Sequence, residues 1–451
     1  MEQINYIKLV PFAKFNLWDV NRYRIYSGFK SSYKTIKLSE IIYQTDNYEI
    51  LIAEKDYKLC GISSYGLGMF HREVKKGKEI QAKKLNKIKQ NQFIYSRLGA
   101  NNGSFAMVKD TFNNYYVSNE FPTFEVNNKL IQIEYLEIIF KLPFYWKIIS
   151  NQLQGAAHKR FKEALLLNIE IPLPSIEEQN KIVASYNTKL QLAQQQEEQA
   201  KSLETEIEKY LFKELGANEN KDFEVKTGLN LINYSQLSKW ALSHLSKDNL
   251  FNFERSKYKT EKIKNLLIFF EGGKTPSKAS NDYWKDGKIF WTTAKDFNSQ
   301  YMNSAQDKIT LLAVKEAKMK IYPKGVFLSV FRSGILQHSF PTALTTIETS
   351  INQDLKAYQL KEELIDKIYY LHFVSVFRKY ILIKASKKSV TVESINTEDF
   401  LEIDIPLPPL EKQKQISNYI NSIKAQINEL NVLSVKNKEE AIVEFEKEIF
   451  S

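Results

Sequence analysis

The sequence IPLPSIEEQNKI begins at Ile171, and the related sequence IPLPPLEKQKQI begins at Ile405. Seven of the twelve positions are identical, and the two copies lie 234 residues apart. Two units of that length would account for nearly the whole 451-residue chain, so the sequence predicts a protein built from two related halves. A duplicated protein usually presents two similar surfaces, which suits a partner that is itself repetitive or two-fold.

Each copy of this motif leads into a long stretch with helical periodicity. In the first copy, Ser175 and Glu178 have the spacing of a capping box, which satisfies exposed backbone donors where a helix begins. Apolar residues then recur at helical spacing, and Gly216 is a stop signal. We therefore predict one long helix over Glu177–Leu215, roughly 58 Å in length, and a second that begins near Leu410.

The apolar residues of both predicted helices are spaced in heptads, the pattern of helices that pair as a coiled coil. The alternative is that each helix packs only on its own domain. Long helices with sparse apolar rows favour mutual pairing. The residues assigned to helix pairing are Ile182, Leu203, Ile207, Ile416, Ile423, Ile427 and Leu430.

The segments that precede the two helices are predicted to mix strands and helices. Short β-branched and aromatic runs such as Val326–Val330 predict strands, and Glu363–Lys379 predicts a helix late in the second segment. The fold class is thus α/β (α+β). The predicted organisation is a first domain (1–165), a first long helix (166–216), a linker (217–232), a second domain (233–400) and a second long helix (401–451).

The positive charge of the chain lies outside the long helices. The net charge is +11, whereas Glu177–Leu215 carries −3 and Glu411–Ser451 carries −1, which leaves +15 for the remaining residues. A basic surface favours phosphate backbones through counterion release; the alternative is a lysine-rich surface without that role. No run of 18 apolar residues and no signal-peptide pattern is present, and Cys60 is the single cysteine, so we expect a cytoplasmic protein away from membranes.

No catalytic constellation is visible in the sequence. Gly272-Gly273-Lys274-Thr275 lacks the glycine that a phosphate-binding loop requires five residues before its Gly-Lys pair, since position 268 is Ile. Glu316-Ala317-Lys318 has a nuclease-like spacing that is common by chance. The five histidines show no metal-ligand spacing. We therefore expect a protein without catalysis of its own and without a bound metal.

Taken together, these features resemble the specificity (S) subunit of a type I restriction–modification enzyme. The duplicated IPLP-x-x-E-x-Q motif carries the resemblance over the full length. The sequence from Gly272 to Phe297 resembles the opening of one recognition-domain subfamily, and Gly68–Glu73 resembles another. One departure is Pro409, which stands where the first copy has Ser175. The resemblance implies two target recognition domains joined and spaced by two long antiparallel coiled-coil helices, with a pseudo-two-fold internal repeat.

The resemblance also implies a division of labour. Each recognition domain would read one half of a split site on double-stranded DNA. Two methyltransferase (M) subunits would bind the chain, and two ATP-dependent translocase–nuclease (R) subunits would join them. S-adenosylmethionine, ATP and Mg²⁺ would belong to those partners and not to this chain. The alternatives are a specificity subunit of a type II-like methyltransferase assembly, a non-catalytic coiled-coil interaction scaffold and, more remotely, a self-contained nuclease.

Side chains that can pair with base edges occur in turn-prone stretches of both domains. For each of them the alternative is a solvated loop side chain or a hydrogen bond that supports the fold, and Trp284 and Trp291 are predicted to be core aromatics. The candidate DNA-contacting residues are Ser64, Tyr65, His71, Arg72, Arg97, Asn101 and Asn102 in the first domain, and Thr275, Ser277, Lys278, Tyr283, Lys295, Arg332, Ser333 and Gln353 in the second.

Overall fold

The computed structural model describes residues 31–153, 160–219, 251–253, 256–387 and 393–450. Most of the predicted linker (220–232) lies outside these ranges, as does His158, one of the five histidines of the sequence. The chain divides into two compact units, each of which combines one sheet-containing segment with part of both long helices. The first unit is Met1–Glu197 with Val432–Ser451, and the second is Glu198–Asn431.

The described residues of the first unit form two main sheets and three short helices. The strands are β1 (Thr35–Lys37), β2 (Ile42–Thr45), β3 (Tyr48–Ile50), β4 (Asp56–Ile62), β5 (Met69–Lys76), β6 (Lys84–Lys87), β7 (Phe93–Tyr95), β8 (Phe105–Met107), β9 (Tyr116–Val117), β10 (Thr123–Val126) and β11 (Glu170–Pro172). The helices are α1 (Ile133–Lys141), α2 (Pro143–Gln152) and α3 (Glu163–Leu167). A long helix, α4 (Ile176–Leu215), begins in this unit.

The two sheets of the first unit differ in their surroundings. The sheet β2-β10-β7-β8 contributes Phe93 and Phe124 to the main core, together with α1 and α2. The sheet β3-β6-β9-β4-β5 is antiparallel except for the β4–β9 pair, and small clusters around Cys60 and Tyr57 stabilise it. Cys60 is buried, and this burial raises the pKa of its thiol to about 12, so it behaves as a small apolar core residue.

The second unit repeats this plan with different strands. Its strands are β12 (Asn218–Glu219), β13 (Phe251–Asn252), β14 (Thr260–Lys262), β15 (Leu267–Gly272), β16 (Ile289–Thr292), β17 (Tyr301–Met302), β18 (Asp307–Ile309), β19 (Phe327–Val330), β20 (Thr342–Thr345), β21 (Thr349–Ile351), β22 (Leu355–Leu360), β23 (Ser386–Lys387), β24 (Ser394–Ile395) and β25 (Asp404–Pro406). Its helices are α5 (Leu311–Glu316), α6 (Lys367–Val376), α7 (Arg378–Ala385) and α8 (Thr397–Leu401), and the long helix α9 (Leu410–Phe450) begins here. The sheet β15-β22-β19-β20-β17 belongs to the main core, and the sheet β18-β16-β21 packs with α5 around Trp291.

The predicted bounds of the helix over Glu363–Lys379 are wrong. It begins only at Lys367, because the Asp366 carboxylate accepts a hydrogen bond from the backbone N–H of Tyr369 at 2.8 Å and caps the helix there. It ends at Val376, and Phe377, with φ −90° and ψ 22°, separates it from α7. The apolar periodicity ran through both helices and therefore could not reveal the break.

The same glutamine of the duplicated motif fixes each long helix to its domain. Gln179 is fully buried: its Oε1 accepts a hydrogen bond from the Gln132 N–H at 2.8 Å, and its Nε2 donates to the carbonyls of Leu130 and Pro174. In the second unit Gln413 is equally buried and makes the equivalent bonds. Its partners are the Asp366 N–H at 2.8 Å, the Leu364 carbonyl at 3.2 Å and the Pro408 carbonyl at 2.8 Å.

Two further contacts of the motif recur in both units. The first two residues of each copy, Ile-Pro, lie in a strand that pairs antiparallel with the strand that opens the domain, with Thr35 opposite Pro172 and Thr260 opposite Pro406. Buried tyrosine hydroxyls donate to the carbonyls of those prolines, Tyr135 at 3.1 Å and Tyr369 at 2.6 Å. The motif is thus a docking device that appears once in each half.

Both ends of α4 have the predicted signals. The Ser175 hydroxyl accepts a hydrogen bond from the Glu178 N–H at 3.2 Å. Gly216 adopts φ +67°, and the Ala217 N–H donates to the Phe212 carbonyl at 3.0 Å, a Schellman-type ending. The structure therefore begins this helix at Ile176 and ends it at Leu215, within one residue of the prediction.

Within each unit α4 and α9 run antiparallel and contact each other. In the first unit Lys189 lies 2.9 Å from Glu444, and Glu197 lies 2.6 Å from Lys438. In the second unit Glu214 lies 2.8 Å from Lys412. Four of the residues assigned to pairing are buried: Ile182 in the core of the first unit, and Ile207, Ile416 and Ile423 in the core of the second. Leu203 and Ile427 are partly buried and pack against the second core, and Leu430 is half-buried.

Candidate nucleic-acid interface

The first domain brings four of the candidate residues together at one end of the β4–β5 hairpin. The Tyr65 N–H donates to the Asn102 carbonyl at 2.6 Å, and the Ser64 and Ser104 hydroxyls are 3.2 Å apart. The turn 63–68 therefore lies against the turn that carries Asn101 and Asn102. Tyr65 and Asn102 are exposed, so a phenol and an amide are accessible to a ligand, with the Asn102 amide oxygen accepting a hydrogen bond from Asn101 Nδ2 at 3.3 Å.

His71 and Arg72 continue from this turn along β5, an edge strand of the five-stranded sheet, and both are exposed. The His71 ring meets the ring of Tyr115 edge-on at 5.8 Å, and the Lys58 ammonium lies 5.9 Å from the centre of the same ring. Arg72 lies 3.6 Å from Glu73, a loose exposed pair that costs little to break. This edge combines basic and aromatic groups of the kind that bind nucleic acid.

Arg97 stands apart from the other candidates of this domain. Its guanidinium forms an ion pair with Glu163 of α3 and also donates to the Asn119 carbonyl. Both carboxylate and guanidinium are mostly buried, so the pair ties two loops to α3. The structure therefore gives Arg97 a contact that supports the fold.

In the second domain the turn after β15 lies against the segment 351–354. The Lys274 N–H donates to the Ile351 carbonyl at 3.0 Å, and the Thr275 hydroxyl bonds to the Gln353 side chain. This approach requires glycine at 273, where a Cβ atom would lie 2.1 Å from the Ile351 carbonyl oxygen. Close backbone packing therefore accounts for the glycine at position 273.

Arg332 and Ser333 reach the same segment from β19. The Arg332 N–H donates to the Asp354 carbonyl at 3.1 Å and its side chain is exposed, whereas the Ser333 hydroxyl accepts a hydrogen bond from the Ile335 N–H at 3.4 Å. Asn352 and Asp354 bond to each other at 3.0 Å and shape the turn between them. Thr275, Gln353 and Arg332 are therefore brought together on one surface.

The remaining candidates of the second domain surround the sheet β18-β16-β21. Ser277 and Lys278 are exposed, and Trp284 donates to the Ser277 carbonyl at 3.0 Å. The Tyr283 hydroxyl donates to Glu316 at 2.6 Å, and Lys295 lies 2.8 Å from Asp307. Glu316, the acid of the nuclease-like triplet, is thus hydrogen-bonded to a tyrosine. Trp291 is buried and Trp284 packs edge-on against it at 5.1 Å.

Two basic stretches lie beside the individual candidate residues. Between Arg72 and Lys89 the chain has eight Lys or Arg and two Glu, and this stretch forms β5 and β6. Between Lys274 and Lys324 it has ten Lys against five Asp or Glu, and this stretch includes β16, β18 and α5. A charge count over a moving window would have found both. A charge count does not reveal the contact between Tyr115 and His71, because only the fold brings these two residues together.

A buried polar pair lies where α6 packs on α9 in the second unit. His372 Nδ1 is 3.2 Å from the Lys424 ammonium, and Nε2 is 3.0 Å from the Asn421 amide oxygen. Burial, with the neighbouring Lys424 charge, lowers the pKa of His372 to about 4, and burial lowers the pKa of Lys424 to about 8. The positively charged ammonium of Lys424 thus lies beside an imidazole, that of His372, which must stay neutral.

The lowered pKa of His372 predicts a loss of stability in weak acid. Because the folded pKa lies below the ordinary value near 6.5, the unfolded chain binds the proton more tightly, and stability falls as the pH drops through 6.5 towards 4. Between pH 7 and pH 5 we expect a loss of about 2 kcal/mol from this group in urea unfolding. The variant His372→Gln should lose this part of the pH dependence; an unchanged difference between pH 7 and pH 5 in the variant would contradict the assignment.

No helix in the described ranges is both long and apolar enough to span a membrane. Those ranges also hold no cluster of three or more His, Cys, Asp or Glu side chains placed to bind a metal ion.

Comparison with known proteins adds the family. The family described as "Type I restriction modification DNA specificity domain" matches residues 30–202 and 255–438. The EcoR124I/EcoR124II specificity subunit of Escherichia coli is 29% identical over 184 residues, which are 41% of this chain and 45% of that protein. The MjaVIII specificity subunit of Methanocaldococcus jannaschii is 25% identical over 365 residues, which are 79% of this chain and 76% of that protein.

A solved structure supports the fold. A chain described under "Structural basis underlying complex assembly and conformational transition of the type I R-M system" superposes with a TM-score of 0.59 at 16% identity, over 93% of this chain and 97% of that one. At that identity the likeness bears on the fold alone. The aligned stretch covers less than half of the Escherichia coli relative. The two family matches, one in each half, fall on the two copies of the domain and docking motif, so this chain belongs to the type I restriction–modification DNA specificity family.

Proposed function

We propose that this chain is a sequence-specific DNA-binding specificity subunit, which reads a bipartite target and directs partner methyltransferase and restriction subunits to it. The observation that carries the proposal is the duplicated docking motif. Gln179 and Gln413 attach two different basic domains to a pair of near-neutral helices through the same hydrogen bonds. One scaffold that holds two different readers suits a target of two different halves.

Within each domain the natural DNA-facing element is the sheet that includes the basic stretch, called here the basic sheet. It is β3-β6-β9-β4-β5 in the first domain and β18-β16-β21 in the second. Lysines of β5 and β6, and those around β16 and α5, would neutralise phosphates and fix the register. Exposed Asn102, Gln353 and Arg332 offer the donors and acceptors that distinguish base edges in the major groove. Arg97, by its pairing with Glu163, would instead support the domain that carries these contacts.

The partners and cofactors belong to the same proposal. Two M subunits would bind the exposed faces of α4 and α9, and two R subunits would complete the assembly. S-adenosylmethionine, ATP and Mg²⁺ would be bound by those subunits, so this chain would be non-catalytic and need no cofactor. The proposed domain limits are those given above, with 1–165 and 233–400 as the readers, and the proposed location is the cytoplasm.

A type II-like methyltransferase assembly remains the alternative of the same class, because the difference lies in the partner and not in this chain. A coiled-coil scaffold is the alternative of another class. It is distinguished by salt, since log Kd for DNA should rise with log [salt] by about 0.9 for each phosphate contact only if the domains bind DNA.

The test is methylation by the assembled complex. We expect the purified chain alone to leave DNA unmodified and the chain with its M subunit and S-adenosylmethionine to methylate a split site, which sequencing of modified bases would map. Methylation or cleavage by the chain alone would contradict the proposal, as would a complex that modifies no defined site.

Neutralising pairs of lysines tests whether DNA binds at the basic sheet of the first domain. Lys83 and Lys89 are exposed, and neither has a carboxylate partner among the described ion pairs. Replacing both with Gln should reduce the salt slope of DNA binding by about one to two. Replacing the exposed helix residues Lys201 and Lys209 with Gln removes the same charge and should leave the slope unchanged. Equal effects of the two pairs would place the DNA elsewhere.

A further inference from the structure

An apolar tip lies in the turn between β4 and β5. The side chains of Tyr65 and Leu67 are 67% and 78% exposed. Tyr65 has φ +60°, a left-handed conformation that is costly for a bulky L residue and that persists only where the surrounding structure imposes it. Strained conformations of this kind concentrate at functional positions, so the tip is a candidate contact site for a ligand.

The tip is held rigidly. The Tyr65 and Gly66 N–H groups donate to the carbonyls of Asn102 and Gly103, at 2.6 and 3.1 Å, and the Ser63 N–H donates to Gly68 at 2.8 Å. Gly103 is required here because a Cβ atom would lie 2.2 Å from the Trp146 ring. A preformed protrusion loses little conformational freedom when it binds.

The two stretches of chain that form and support the tip contain no acidic residue. Residues 57–72 and 93–109 form the hairpin and the turn against it, and neither stretch contains Asp or Glu, although 53 of 451 residues are acidic and roughly four would be expected here. Lys58, Arg72 and Lys109 lie in the same stretches. Carboxylates reach these stretches only from outside them, where Glu73 pairs with Arg72 and Glu163 pairs with Arg97. An exposed apolar tip on two stretches that carry basic but no acidic residues suits a polyanion whose interior is apolar.

We propose that Tyr65 and Leu67 form a wedge that enters duplex DNA at one base step of the first half-site and partly unstacks it. Apolar side chains act in this way in proteins that kink DNA, where the cost of unstacking is offset by additional contacts. Asn101 and Asn102 in the adjacent turn would then contact the edges of the opened step. The inference rests on the proposed function and assigns this turn a mechanical role in reading.

A wedge of this kind reads deformability as well as base edges. Pyrimidine–purine steps unstack and kink most easily, so the first half-site should contain a TA or CA/TG step at the position of the tip. Replacing that step with a stiffer one should weaken binding even if no side chain forms a hydrogen bond to it.

The test uses the complex of the full chain with its M subunit on the mapped target. 2-Aminopurine, placed in turn at each position of the first half-site, should brighten several-fold at one step with the wild type. The double variant Tyr65→Asn/Leu67→Ser should abolish that signal and raise Kd by tenfold or more, as expected when an aromatic base contact is lost. Asn tolerates the left-handed backbone, so the turn should keep its shape. Tyr65→Phe should retain the signal.

Three results would overturn the wedge. One is a wild-type complex that binds the target without brightening at any first-half position, and another is a double variant that binds as tightly as the wild type. The third is loss of M-subunit association by the double variant without DNA, measured by native mass spectrometry, which would make the tip a protein contact. A wild-type complex that methylates no split site would instead refute the proposed function, and the wedge with it.

Discussion

A chain in which residues 258–400 are replaced by a second copy of its own residues 33–166 should recognise the first half-site twice. The two segments begin with the same YKT sequence and end at equivalent buried positions, Leu166 of α3 and Phe400 of α8. In the described residues, the buried cores of the two units share no member, so each reader should fold with its own core. We expect the original target to lose methylation by a factor of a thousand or more, the usual ratio of specific to non-specific binding.

The junctions of this exchange are compatible with the contacts that cross them. The transplanted β1 would pair with the resident β25 through backbone hydrogen bonds, as β14 does, and such pairing tolerates changes of side chain. The transplanted Gln132 would present its N–H to Gln413, and the Tyr135 hydroxyl would reach the Pro406 carbonyl, as Asp366 and Tyr369 do now. The second docking site would therefore receive a familiar partner.

Methylation mapping decides the outcome. The expected new site carries the first half-site in both of its halves. The wild-type chain supplies the control map. Retention of the original second half-site would show that residues outside 258–400 read it, and an altered first half-site would show that the readers are not independent.

The sequence predicts the scaffold of this protein better than it predicts its reading surface. The capping Ser175 and the terminal Gly216 define α4 locally, because helix ends depend on backbone donors and acceptors within one turn. The two copies of the motif mark the docking sites, although their hydrogen bonds to Leu130 and Leu364 join positions about 49 residues apart. Such partners cannot be found by inspection of neighbouring residues.

The candidate DNA contacts illustrate the limit. Turn-prone sequence predicts Ser64, Tyr65, Asn101 and Asn102 at the surface, and the structure brings them together. The same pattern predicts Arg97 as a DNA contact, but Glu163, 66 residues away, pairs with it. Turn chemistry shows that a side chain lies at the surface; only the fold decides whether a carboxylate already occupies it.

Replacing Gln413 with Leu should destabilise the second unit more than any other single change in the motif. The side chain is fully buried and makes three hydrogen bonds to backbone groups, so Leu would leave the Asp366 N–H and the carbonyls of Leu364 and Pro408 without this partner. Each buried group left unsatisfied costs about 1–3 kcal/mol, which gives a loss of roughly 3–5 kcal/mol after relaxation. That is a large fraction of the stability of a typical domain.

The duplicated motif provides matched controls for this prediction. Gln179→Leu should destabilise the first unit by a similar amount, since the hydrogen bonds of Gln179 are equivalent. Gln415→Leu, two residues further along α9 on an exposed position, should change stability by less than about 0.5 kcal/mol. Urea unfolding measures the loss of stability. Methylation mapping shows at which half-site specificity is lost. The Gln413 variant should lose specificity at the second half-site first, because a domain released from its helix no longer holds its base-contacting side chains in register. Equal loss at both half-sites, or a Gln413 variant as stable as the Gln415 variant, would show that the glutamine does not hold the domain in place.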